Sequence, residues 1–154
     1  MLIQCGASLE AAGDSASTAL HCAVEEGHLG VVQLLVDKGA NVEAMDGDGM
    51  TALHGAAVGG HFAIARLLIE KGANVEARDE NGDTALYWAA IGGYYGVVRL
   101  LMEAGANTKA RNKSGDTALY HAAQHDHLAG SAAACEEAGP EAKMRSSLGP
   151  LLER

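Results

Sequence analysis

The sequence predicts an all-α solenoid of stacked helix–turn–helix units, each followed by an extended finger. Three observations lead there. Residues 79–111, DENGDTALYWAAIGGYYGVVRLLMEAGANTKAR, lie without insertion on residues 46–78, DGDGMTALHGAAVGGHFAIARLLIEKGANVEAR. A fixed period in this range marks stacked supersecondary units. Each period also holds two short apolar stripes at helical spacing, parted by glycine. Finally, the chain is 48% hydrophobic but only 4% aromatic. Alanine and leucine carry the apolar share, which suits thin helices packed closely.

Within one period the elements follow in order. Thr51 is placed to cap a first helix, with Ala52 at its first position. Leu53, Ala56 and Ala57 recur at i, i+3 and i+4 on one face. Gly59-Gly60 stops this helix. A second helix is expected from about Phe62, with Ile64, Leu67 and Leu68 as its stripe and Arg66 and Glu70 left for solvent. Gly72 ends it. Residues 73–82 form a polar, turn-rich return in which Asn81-Gly82 is a tight-turn dipeptide. Neither helix can hide its apolar face alone, so the units must stack into one continuous core.

The repeat domain is expected over residues 1–139. It divides into a half repeat at 1–12, repeats at 13–45, 46–78 and 79–111, and a degenerate repeat from 112. Met1 to Ala7 aligns with Leu34 to Ala40, so the chain opens inside a second helix, as a fragment of a longer array would. In the fourth unit Gly130, Ala133 and Ala134 stand where the first full repeat has Val31, Leu34 and Leu35, read as the buried stripe of its second helix. Each lost leucine removes roughly 2 kcal/mol of burial, so that helix reads as a weak cap. Residues 140–154 read as a mobile tail.

The repeated G-x-T-A-L-[HY]-x-A, G-[HY], L-L and G-A-N resembles the ankyrin repeat, from about Met1 to His127. That family usually has Thr-Pro-Leu-His; here Ala19, Ala52, Ala85 and Ala118 replace the proline, a mild change because alanine is the best helix former. His21 and His54 keep the family histidine, which the resemblance assigns a hydrogen bond to the backbone between repeats. Tyr87 and Tyr120 replace it.

Several chemistries find no support. The net charge is −9, with 11 Lys+Arg against 20 Asp+Glu. That offers little footprint for nucleic acid. The three cysteines, Cys5, Cys22 and Cys135, show neither a disulfide framework nor zinc spacing, and read as buried or half-buried thiols in a reducing compartment. The N-terminus has no basic segment followed by a long apolar run, so an intracellular location, cytoplasmic or nuclear, is expected. The longest uncharged run, residues 85–98, is too short and too broken by glycine to span a bilayer. His28, His61 and His127 recur in repeat register, as scaffold residues do. His121 and His125 stand at i, i+4, a spacing that can chelate a metal, but no convincing ligand set completes them. No nucleophile motif, phosphate loop or carboxylate pair appears. No enzyme activity, metal or cofactor is therefore expected.

The resemblance implies a protein-recognition module whose finger tips and first-helix ends form a concave binding face. Carried over by register, that face includes Asp48, Met50 and Asp83 at the tips, and Glu25, Glu26, Val58 and Ile91 at the helix ends. Trp88, the only tryptophan, lies at its edge. The expected pattern is an apolar centre of Met50, Val58 and Ile91 ringed by Glu25, Glu26, Asp48 and Asp83. It suits a protein segment with a short apolar stretch flanked by basic residues. Two alternatives stand beside this reading: a recognition segment of a larger signalling enzyme or sensor, and a structural spacer without a dedicated partner.

Overall fold

The computed structural model describes residues 8–124. They form seven helices: α1 (Ala19–Glu25), α2 (Leu29–Asp37), α3 (Ala52–Gly59), α4 (Phe62–Glu70), α5 (Ala85–Gly92), α6 (Tyr95–Glu103) and α7 (Ala118–Gln124). First helices stack on first helices, α1 on α3, α3 on α5 and α5 on α7. Second helices stack likewise, α2 on α4 and α4 on α6. Among the described residues the only β pairing is a single antiparallel bridge between Arg111 and Thr117. The fold is thus an all-α solenoid. Met1 to Ala7, the second helix expected in the fourth unit and the expected tail at 140–154 lie outside the described residues.

The core follows the register. Leu20, Leu53 and Leu86 on the first helices, and Leu35, Leu68 and Leu101 on the second, are all buried. Fully burying such a side chain contributes about 1.5–3 kcal/mol. The small residues Ala23, Ala56 and Ala89 are buried between them, which lets neighbouring helices approach closely.

Helix starts are built by the Thr-x-x-His spacing. The Thr51 backbone N–H donates to Nδ1 of His54 at 3.1 Å, and the Thr51 hydroxyl lies 3.0 Å from the same nitrogen. Nε2 of His54 donates across the repeat junction to the Asp83 carbonyl at 3.1 Å. His21 repeats this with Thr18 and the Met50 carbonyl. An acceptor-only carbonyl at Nε2 and an N–H donor at Nδ1 demand one neutral tautomer. Tyr87 keeps only half of the device. Its amide donates to Thr84, while its hydroxyl reaches no partner among the described residues.

Helix ends use glycine. Gly60 closes α3 at φ 68° and Gly72 follows α4 at φ 90°, the left-handed region open mainly to glycine. The fingers are pinned by a side chain at their base. Asp46 Oδ1 accepts from the amides of Asp48 and Met50, Asp79 Oδ1 from Asn81 and Asp83, and Asn112 Oδ1 from Ser114 and Asp116. Between repeats, Glu10, Glu43 and Glu76 accept from the amides of Asn41, Asn74 and Asn107. At the next step Lys109 stands in place of the glutamate and Pro140, which has no N–H, in place of the asparagine.

Two expectations are corrected. Val31 and Leu34 of α2 are 47% and 46% exposed, whereas Ile64 and Leu67 at the same positions of α4 are buried. Burial there comes from the second helix of the preceding repeat, and none precedes α2 among the described residues. Cys22 is a free, exposed thiol rather than a buried or half-buried one. It faces the same open side, where the equivalent Gly55 meets Val24 of the preceding helix.

Candidate partner-binding face

Glu25 at the end of α1 lines the same notch as Asp46 and Met50 of the following finger. Glu25 and the C-cap Glu26 are exposed at the end of α1. A negative charge at a helix C-terminus opposes the macrodipole, so neither glutamate is there to support its own helix. Val58, at the end of α3, is 44% exposed. Ile91, its equivalent on α5, is half-buried and packs against the core. Ile91 is thus partly covered where Val58, also on a helix stacked between two others, is exposed.

Met50 is half-buried between finger and helix, with its amide on Asp46 and its carbonyl on His21. Asp48 is exposed at the finger tip, and its carbonyl accepts from the Glu80 amide at 3.0 Å. Asp83 departs most from expectation. It is buried, at 5% exposure, and its carboxylate accepts from the Asn112 side-chain amide at 2.8 Å. Burial pushes its pKa up, partly offset by that amide. Asp83 is thus an internal strut between two fingers and not a rim charge. Trp88 is half-buried, set edge-on to Tyr87 at 5.7 Å, and its indole N–H donates to Asp79 Oδ2 at 3.0 Å.

Sequence reasoning passed over Asp46, Asp79 and Gly55. Asp46 and Asp79 occupy the same register position as Asn112, an Asx residue at the base of three successive fingers where the first repeat has Gly13, and that alignment was the available signal. Gly55 leaves a shallow notch between α1 and α3, lined by Val24, Glu25, Asp46 and Met50 among others. No cluster of histidine, cysteine or acidic side chains among the described residues could hold a metal ion. His125 and His127 lie outside them. No helix among the described residues is long and apolar enough to cross a membrane.

The ankyrin-repeat family model, with three copies of the repeat, matches residues 1–79 and 75–137. The chain belongs to the ankyrin-repeat family. Comparison with curated proteins gives no match. Ankyrin repeats are generally protein–protein interaction modules and typically non-catalytic. In this ankyrin-repeat chain Val58, Glu25, Glu26 and Asp48 are exposed, Met50 and Ile91 are half-buried, and Asp83 is buried.

Proposed function

We propose that this ankyrin-repeat chain binds another protein on its concave finger-and-helix face, without catalysis. The apolar centre is Met50, Val58 and Ile91, with Trp88 at its edge. Glu25, Glu26 and Asp48 supply a negative rim. The observation that carries the reading is the pairing of an exposed Val58 with two glutamates at a helix end that electrostatics would rather leave to cations. The partner segment presents a short apolar stretch flanked by lysine or arginine. Apolar anchors near the centre supply most of the affinity, and the rim sets approach and orientation.

Val58→Asp is the cleaner probe, since Val58 is more exposed than Ile91. It should abolish recovery of the partner in an affinity pull-down while leaving the helical circular dichroism unchanged. Ile91→Asp should do the same at some cost in stability. Glu25→Lys with Glu26→Lys should instead slow association, by a factor that shrinks as salt rises. Recovery of the same proteins at the same yield by Val58→Asp would refute the proposal and leave the spacer reading.

A further inference from the structure

The repeat register sets Glu25, Val58, Ile91 and Gln124 at one position on four successive first helices. Those helices stack in order, α1 on α3, α3 on α5 and α5 on α7. The four residues therefore form a row with a step of about 8–10 Å, the usual distance between packed helices. The row reads acid, valine, isoleucine, amide, and the exposed Glu26 stands beside its acidic end. The Tyr94 ring spans the middle step. A Cβ on Gly60, just after Val58, or on Gly92, next to Ile91, would collide with opposite edges of that ring. Tyr94 is nonetheless 37% exposed and Val58 44%.

One segment of this chain carries the complementary pattern. Residues 140–154, outside the described residues, read PEAKMRSSLGPLLER. Arg145, Leu148, Leu151 and Arg154 recur at every third position, with Pro150 between the leucines. Proline fixes its own backbone near the polyproline II angle. In that conformation three residues make one turn and rise about 9 Å, so every third side chain points the same way at nearly the step of the row. We propose that residues 143–154 dock on this row in the same molecule, with Arg145 at Glu25, Leu148 at Val58, Leu151 at Ile91 and Arg154 at Gln124. This rests on the concave-face reading above and names an occupant for that face. Charge sets the direction. Lys143 and Arg145 meet Glu25 and Glu26 at the end of α1, which itself favours cations, and Glu153 falls at the far end of the row. Pro150 lies against the Tyr94 ring, as proline-rich segments do in aromatic-lined grooves. Reach allows it. The residues between Gln124 and Arg145 can extend over roughly 70 Å, and the row from Gln124 back to Glu25 is about 30 Å long. A partner protein must displace this segment to bind.

The test titrates a fluorescently labelled peptide of residues 143–154 with the full chain and with its Leu148→Ser, Leu151→Ser variant, reading affinity by polarisation. In the wild type the tethered segment acts at an effective concentration of about 1 mM and should hold the peptide off. The variant should therefore bind the peptide roughly tenfold or more tightly than the wild type does. Adding Val58→Asp to the variant should remove that binding. A second peptide, with one glycine inserted after Pro150, keeps the charge but breaks the three-residue step, and should bind the variant roughly tenfold more weakly for want of an apolar anchor. Equal affinity of the first peptide for wild type and variant would overturn docking within the molecule. Indifference to the inserted glycine, or binding to neither form, would overturn the match between segment and row. The concave face itself is judged separately, by whether the full chain with Val58→Asp still retrieves the same proteins in the pull-down.

Discussion

His54→Ala removes a fully buried ring at the centre of the stack. The substitution deletes the donor to the Asp83 carbonyl and the acceptor for the Thr51 amide. Each bond is worth about 1 kcal/mol net, and stranding its buried partner adds to that. The vacated volume costs roughly a further 1 kcal/mol or more, so the total should reach about 3 kcal/mol. The same residue makes a prediction about pH. Burial holds the His54 pKa below its ordinary value, against smaller opposing effects from the Asp83 carbonyl and the Asp79 charge. The unfolded chain then binds a proton near pH 6.5 that the folded chain still refuses. Stability due to neutral His54 is therefore fully present above about pH 6.5 and falls as pH drops towards the folded pKa, at up to about 1.4 kcal/mol per unit. Urea unfolding of the wild type and His54→Ala at several pH values between about 5 and 8 measures both effects. The gap between the two proteins should narrow towards acid. A gap below about 1 kcal/mol at neutral pH, or one that widens on acidification, would refute the reasoning.

Three further outcomes follow from the same geometry. Gly72→Val should cost about 1–3 kcal/mol through backbone strain alone, since a side chain there would meet open space; an unchanged denaturation midpoint would contradict it. Ala16 holds φ 57° at the finger position where Gly49, Gly82 and Gly115 stand in the later repeats, so Ala16→Gly should raise stability by about 1 kcal/mol, read from the same denaturation curves. Asp83→Asn keeps an acceptor for Asn112 while removing a charge that burial disfavours. Because the Asp83 pKa is raised in the fold, its ionised form costs stability at neutral pH and that cost fades as pH falls through the raised pKa. The variant should match or exceed wild type at pH 7, and a loss above about 1 kcal/mol would refute the strut as described.

The sequence by itself determined the architecture. The exact repeat spacing, the threonine caps and the glycine helix ends are local or periodic signals, and each helix among the described residues appears where they place it. The exposed Glu25, Glu26, Asp48 and Val58 were legible for the same reason, since a residue's side of a helix follows from its register. Tertiary structure decided what the neighbouring repeat does to each position. Asp83 looks like any finger-tip acid until Asn112 of the next finger closes over it. Ile91 and Val58 share a register position, yet the stack covers one more than the other. Val31 and Leu34 read as core and are exposed, because their burial belongs to a helix that no described residue supplies. Trp88 and Gly55 share a register position, but only the structure shows the Trp88 indole bonded to Asp79 and the Val24 side chain close against Gly55. Period and propensity are properties of a single repeat; burial, strut and notch are properties of a junction, and a junction depends on residues a full repeat apart.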